Sequence, residues 1–446
     1  MSTAPAMDAK AVVEPSLAES LVATRFATEQ DTLVIGGMTV NELAGRFGTP
    51  LFAYDADLLR RSLSDLRKAV GKRVDVHYSV KANPNPAVIS VFVNEGAGLE
   101  IASAAEYLRA RKAGCAPERI IFAGPGKGVE ELDFVIERGI GEIHLETSIE
   151  LEAVAAIGNA KGTRVPVGVR VNPISAAQGG AMRMGGKPAQ FGFDEECLDD
   201  VIAQIRRTPS LDFKGVHLFA GTQILDADVL LTQWRHALDL AVRISDGLGA
   251  PIPTVDLGGG LGVPYFKGER DLDMDALAAA APALFDEAAV KLPTTRFILE
   301  PGRYLAGYAG IYLTKIRAVK QSRGQAYVVV DGGMHHHLAA SGNLGQVIKK
   351  DYPQVLANRL GAEHAVTASV VGPLCTPLDT IGRKVSLPQP EEGDFIAVLQ
   401  SGAYGLSASP NGFLSQPMPA EVLIDQGSAK IIRERGTFEQ PITPLP

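Results

Sequence analysis

The sequence predicts an α/β protein: a (β/α)8 TIM barrel followed by a C-terminal antiparallel β domain, to which an N-terminal hairpin contributes. Three observations predict it. Between residues 71 and 302, short β-branched runs alternate with longer helical stretches eight times, the pattern of a closed parallel barrel. After residue 310 the helical stretches stop, and apolar runs are separated by Gly, Pro and Asp turns, which reads as antiparallel strands. At 446 residues the chain exceeds one ordinary core, so two domains are expected.

Residues 1–30 are rich in Ala, Ser, Thr and Glu and are expected to form a loosely ordered tail. Thr-Leu-Val-Ile-Gly-Gly-Met-Thr-Val from Thr32 reads as a hairpin, within a segment 31–48 that joins the β domain. The barrel is expected over 49–310, with strands at 74–80, 98–101, 120–123, 142–145, 165–171, 215–219, 254–257 and 296–299. Helices are expected at 104–113, 130–138, 149–160, 195–206 and 226–248. Ser103 and Ser148 read as N-caps, and Gly114 and Gly139 as helix stops. The β domain is expected over 311–446, with strands at 311–319, 325–330, 364–371 and 395–400.

Composition narrows the function. Hydrophobic residues are 46% and charged residues 21%, a soluble globular balance. Net charge is −8 without a long basic run, which argues against nucleic acid or an anionic membrane as partner. No apolar run is long enough to span a bilayer, and the N-terminus lacks the basic start and apolar stretch of a signal peptide. The three cysteines, Cys115, Cys197 and Cys375, are widely spaced. They form neither a disulfide framework nor a zinc pattern, so a cytoplasmic location is expected.

Three strand ends carry chemistry. Lys81 ends the first barrel strand, in His77-Tyr78-Ser79-Val80-Lys81-Ala82-Asn83-Pro84. On the edge of an apolar core an amine loses its proton cheaply and can form a Schiff base with a carbonyl; a surface lysine capping a strand is the other reading. Gly258-Gly259-Gly260-Leu261-Gly262 follows the seventh strand, where barrels favour phosphate sites and where glycines let backbone N–H groups close around an anion. Its spacing and Pro264 exclude a dinucleotide fingerprint. Glu300-Pro301-Gly302-Arg303 follows the eighth strand. The glutamate would face the barrel mouth, where a cationic heterocycle would satisfy it; an ordinary ion pair with Arg303 is the alternative.

Taken with Gly372-Pro373-Leu374-Cys375, Asp379 and Gly402-Ala403-Tyr404-Gly405, these motifs stand in the order found in a known family. The chain resembles the pyridoxal-phosphate decarboxylases of the alanine-racemase fold, which act on diaminopimelate, ornithine and arginine, over nearly all residues after about 30. The resemblance implies pyridoxal 5'-phosphate as cofactor, held covalently by Lys81. It implies that Gly258, Gly259, Gly260, Thr222 and Tyr404 hold the phosphate and that Glu300 pairs with the pyridine nitrogen. Arg170 and Arg303 would lie at the cofactor. Cys375 would come from the neighbouring subunit of a homodimer, and Asp331, Thr376 and Asp379 would attend the substrate. Racemases of this fold place an arginine where Glu300 stands, so Glu300 favours decarboxylation.

Three departures bear on the substrate. Phe219 stands where family members stack a histidine on the cofactor, and a benzene ring can stack but carries no charge. Thr376 replaces the acid that reads the far ammonium of a diamino acid. No arginine follows Asp331-Gly332-Gly333-Met334; the run is His335-His336-His337-Leu338-Ala339-Ala340-Ser341-Gly342-Asn343. The histidines cannot all ligate one metal from a regular strand, whose adjacent residues face opposite ways, so no metal is expected and they read as structural or substrate-contacting. Asp-Gly-Gly-Met-His-His-His and Gly-Pro-Leu-Cys-Thr-Pro are closer to a branch that decarboxylates a glutamyl group tethered to an acyl carrier protein, or accompanies exosortase and exopolysaccharide systems. The expected reaction is decarboxylation of an amino acid or amino-acyl group that is not a free diamino acid, with an acyl carrier protein as possible partner. The alternatives are a diaminopimelate decarboxylase with an atypical distal pocket and a non-catalytic cofactor-binding homologue.

Overall fold

The computed structural model describes residues 15–174, the backbone of 182–183, and residues 188–219, 221–344, 346 and 349–439. Eight parallel strands form the barrel: β1 (Val74–Ser79), β2 (Gly98–Ile101), β3 (Ile120–Phe122), β4 (Glu142–Leu145), β5 (Val165–Asn172), β6 (Leu211–Leu218), β7 (Thr254–Asp256) and β8 (Arg296–Leu299). Each pairs with the next, β8 pairs with β1, and Ile143 opposite Val167 joins β4 to β5 and closes the ring. The strands are short and apolar because both faces are covered, by helices outside and by side chains within.

The helices start and stop on local chemistry. Ser103 caps Ala104–Lys112 by accepting the Glu106 N–H at 3.1 Å. Thr147, not Ser148, caps Ser148–Lys161, accepting the Glu150 N–H at 3.1 Å; the two hydroxyls are adjacent, and only Thr147 has the extended backbone that a cap requires. Gly114 and Gly139 each lie just beyond a helix end. Among the described residues no helix is long and apolar enough to cross a membrane.

The second sheet has nine strands: Leu51–Asp55, Gly310–Ser322, Gln325–Val330, Gln354–Leu356, His364–Val371, Thr380–Pro388, Phe395–Val398, Ala420–Asp425 and Ser428–Arg433. It is mixed rather than antiparallel. Gln325–Val330 runs parallel to His364–Val371, and Ala420–Asp425 runs parallel to Leu51–Asp55. The second pairing arises because the barrel is inserted between Leu51–Asp55 and the rest of the sheet.

The N-terminal hairpin, Thr32–Ile35 and Met38–Thr39, forms its own three-stranded sheet with Ala27–Glu29. Hydrogen bonds from Leu33 N–H to Ala357 O and from Gly427 N–H to Gly36 O, both 2.7 Å, tie it to the β domain. The rest of 31–48 turns helical at Val40–Phe47, and the N-terminal segment that pairs within the large sheet is Leu51–Asp55. Of the expected tail, residues 1–14 lie outside the described residues. Leu17–Arg25 is a helix closed by a Ser16–Glu19 capping box, with Leu21 and Val22 buried and Arg25 paired with Asp271 at 3.2 Å.

Candidate active site

Lys81 sits in a 3-10 turn, Val80–Ala82, at the C-terminal end of β1. Its ammonium donates to both oxygens of Glu100 on β2, at 2.9 and 3.0 Å, and Ser79 donates its hydroxyl to the same carboxylate. Desolvation lowers the Lys81 proton affinity, but the charges of Glu100, Tyr404 and Glu300 outweigh it and hold the amine above the ordinary lysine value. The expectation is an easily deprotonated amine; beside the buried Glu100 carboxylate the shift runs upward instead. The backbone N–H of Tyr404 donates to Ala82 O at 2.7 Å, which brings the β-domain loop onto the lysine turn.

The glycine loop lies between β7 and β8. Gly258 and Gly260 take φ of +64° and +97°, the left-handed region that glycine enters without strain. A Cβ on Gly258 would fall 2.6 Å from Leu218 O, one on Gly260 would fall 2.7 Å from Gly221 O, and one on Gly259 would overlap Glu300 O. The loop is pinned from below: Asp256 Oδ1 accepts the Gly258 N–H and Gly258 O accepts the Glu300 N–H, each at 2.8 Å. Among the described residues the amides of Gly259 and Gly260 have no protein acceptor. Gly221–Thr222 pairs with Met182–Arg183 alongside, and the Ile224 N–H donates to Gly260 O at 2.9 Å, so Thr222 borders the loop. Arg303 opens the short helix after β8, its guanidinium 4.6 Å from the centre of the Tyr404 ring and its Nη1 3.3 Å from the Tyr265 hydroxyl.

Glu300 is buried at the centre of the mouth. His217 Nε2 lies 3.3 Å from its Oε2, while its Oε1 is buried without a protein partner. Burial would raise this carboxyl, but His217, His144 and Asp256 hold it well below the usual range. The His144 ring packs on His217 with centroids 4.5 Å apart. His144, His217, Asp256 and Glu300 bring one polar atom each within 4.8 Å of one another. Arg170 on β5 is nearly buried and donates to Glu146 at 2.8 Å, its guanidinium 4.7 Å from the Phe191 ring centre and 6.0 Å from that of Phe219.

The β-domain candidates behave differently. Both oxygens of Asp379 are taken by backbone N–H groups, Met334 at 2.7 Å and Leu374 at 2.8 Å. A Cβ on Gly333 or Gly372 would overlap that carboxylate. Asp379 therefore clamps the Gly-Gly-Met turn to the Cys375 loop. Asp331 accepts from the Thr49 hydroxyl at 2.6 Å and the Lys315 N–H at 2.9 Å. Cys375 is exposed on this loop and Thr376 is half-buried. Among the described residues neither forms a hydrogen bond with the barrel of its own chain.

The three histidines lie in a turn, not a strand, and all are buried. His336 bridges the Tyr312 hydroxyl at 3.1 Å and Pro417 O at 3.0 Å, and His337 meets the Ser401 hydroxyl at 3.0 Å. Burial pushes His335 down to about 4, and His336 and His337 to about 3, so all three are neutral core groups.

Glu100, Asp256, His144 and His217 were not singled out by sequence reasoning. Glu100 and Asp256 are the single ionisable residues of their short strands, whereas His144 shares its strand with Glu142 and His217 shares its strand with Asp212 and Lys214. Such residues are rarely buried without a partner, and that was the available signal.

Among the described residues the mouth offers an amine at Lys81, a buried Glu300 oxygen without a hydrogen-bond donor, and Gly259 and Gly260 amides without an acceptor. These fit the aldehyde, the ring nitrogen and the phosphate of pyridoxal phosphate. Residues 56–307 match the family described as pyridoxal-dependent decarboxylase, pyridoxal binding domain. The chain is 38% identical over 404 residues to the L-glutamyl-[BtrI acyl-carrier protein] decarboxylase of Niallia circulans, covering 90% of this chain and 94% of that protein. It is 31% identical over 416 residues to the diaminopimelate decarboxylase of Aquifex aeolicus, covering 92% and 95%. The solved diaminopimelate decarboxylase of M. jannaschii in complex with L-lysine superposes with a TM-score of 0.86 at 27% identity, covering 94% of this chain and 98% of that one. The chain belongs to the pyridoxal-phosphate-dependent decarboxylases of the alanine-racemase fold and is a carboxy-lyase that uses this cofactor.

Proposed function

We propose that this enzyme decarboxylates an amino-acyl group carried on an acyl carrier protein, a glutamyl group being the first candidate, at a site completed across a homodimer. The observation that carries the reading is the lack of charge at the positions that, by the family resemblance, would line the distal side. Thr376 stands in place of an acid, and the residues after Met334 are neutral, buried imidazoles rather than an exposed arginine. A terminal ammonium or a distal carboxylate would find no charge-assisted partner there, whereas a thioester-linked acyl end needs none. The 38% identity to an enzyme named for a carrier-bound glutamyl substrate supports the same reading.

Lys81 binds the cofactor and Glu300 keeps its ring nitrogen protonated. When bound, the cofactor supplies the electron sink that accepts the charge left by departing carbon dioxide. Arg170, fixed by Glu146, and Phe219 bound the site on the β5 and β6 side; Gly258, Gly259, Gly260, Thr222, Arg303 and Tyr404 form the phosphate end. Exposed Cys375, presented by the Asp379 clamp, would reach the site of the other protomer and return a proton to the product. The three cysteines are free thiols, which suits a reducing cytoplasm.

The test is to offer the purified enzyme glutamate, diaminopimelate, ornithine and lysine in free form and glutamate as a carrier thioester, and to follow carbon dioxide. Release from the thioester alone is expected. Conversion of free diaminopimelate to lysine at comparable kcat/KM would establish the alternative, which the Aquifex aeolicus likeness favours. No release from any of them would point to the non-catalytic homologue.

A further inference from the structure

Asp256 belongs to no expected site. It ends β7, is fully buried, and has two jobs in view. Its Oδ1 accepts the N–H of Gly258, the first residue of the phosphate loop, at 2.8 Å. Its Oδ2 is buried and lacks a hydrogen-bond donor among the described residues, and the carboxyl lies in the cluster with Glu300, His217 and His144. Two carboxyl groups this close in a dry core cannot both be ionised; one must hold a proton. The groups facing them are His217 on β6, His144 and Glu142 on β4, Arg170 on β5 and the Gly258 amide. Arg170 is already engaged by Glu146, and Thr254 donates to Glu142 at 3.0 Å.

We infer that Asp256 works as a neutral carboxylic acid whose proton is donated to Glu300, so that one side chain fixes both the ring-nitrogen partner and the phosphate loop. This rests on the proposed pairing of Glu300 with the ring nitrogen. Burial and the neighbouring Glu300 charge push Asp256 far above the ordinary carboxyl range, which agrees with the geometry. With a proton on Asp256 supplied to Glu300, and His217 Nε2 3.3 Å from Glu300 Oε2, the Glu300 charge is held for a cationic N–H. Asp256 is a positioning residue, since it acts through Glu300.

Asparagine mimics a protonated aspartate: its oxygen can accept from Gly258 and its NH2 can donate to Glu300. Leucine can do neither. The cofactor-free protein is titrated with pyridoxal phosphate while Trp234 fluorescence and the visible absorbance are followed, and each variant is also melted. Asp256→Asn is expected to bind within about threefold of the parent. Asp256→Leu is expected to bind roughly ten- to a hundredfold more weakly, the value of a hydrogen bond to a charged group. The acid limb of the bound chromophore's pH profile should move toward neutrality in Asp256→Leu but not in Asp256→Asn, because Glu300 without its donor protonates more easily.

Equal losses in both variants, with unchanged melting, would overturn the inference, because an ionised Asp256 would then be required. Parent-like binding by Asp256→Leu would overturn it too. So would stoichiometric Zn2+ binding to the cofactor-free protein that Asp256→Asn abolishes, which would make the cluster a metal site. If Asp256→Leu does not fold, His217→Gln against His217→Phe gives the same contrast on the other donor. Glu300→Gln is the control: parent-like binding and spectrum there would remove the Glu300 reading itself, whereas a loss there beside a parent-like Asp256→Leu would remove only the role of Asp256.

Discussion

Lys81 is held by a carboxylate that no motif announces. The Tyr-Ser-Val-Lys-Ala-Asn segment marked the lysine, but Glu100 lies on the next strand and reaches it only when the barrel closes. The same holds for His217, whose partner Glu300 follows β8, and for Asp256 in the same cluster. Local motifs mark the candidate residues; the groups that tune them come from other strands and are legible only as ionisable residues in otherwise apolar strands. Glu100 raises the Lys81 proton affinity, so Glu100→Gln should lower it. The pH midpoint for attaching pyridoxal phosphate should then move acid by about one to two units, the effect of losing an opposite charge at hydrogen-bond distance. Stopped-flow absorbance across pH measures this, and an unchanged midpoint would show that Glu100 does not set the amine.

At the scale of elements, the barrel strands were legible because each is a short apolar run between helical stretches, and all eight stand within a few residues of their expected places. Cap positions were less so, since Thr147 and Ser148 are both capable hydroxyls and only backbone conformation separates them. Thr147→Ala should cost about 1 kcal/mol in chemical denaturation, and Ser148→Ala little. The histidine turn predicts a pH response. Its imidazoles titrate near 6.5 when unfolded but at about 4, 3 and 3 when folded. The unfolded chain therefore binds more protons below pH 6.5. Stability is complete above that value and falls as pH drops toward 4, by about 1.4 kcal/mol per pH unit for each histidine held neutral. Urea midpoints at pH 7 and 5 should show the loss, and His337→Gln should reduce its slope.

For the whole molecule, the proposed site draws on both the barrel and the β domain. Tyr404 and Gly402 of the β domain meet Ala82 and Asn83 of the lysine turn, while Cys375 stands exposed on the far loop. The mixed sheet was not legible, because Leu51–Asp55 and Ala420–Asp425 lie at opposite ends of the chain and no local pattern records that they run parallel. A site shared between protomers predicts complementation. Lys81→Ala and Cys375→Ala homodimers should each be nearly inactive, and an equal mixture refolded together should regain about a quarter of parent activity, because half the dimers then hold one intact site. No recovery would place Cys375 in its own protomer's site or outside catalysis. The substrate reading is tested most directly by competition: the cofactor-loaded enzyme receives equal concentrations of carrier-bound glutamyl thioester and free diaminopimelate in one vessel, and both products are counted. The neutral distal side predicts preference for the thioester by roughly tenfold or more; equal consumption, or preference for diaminopimelate, would contradict it.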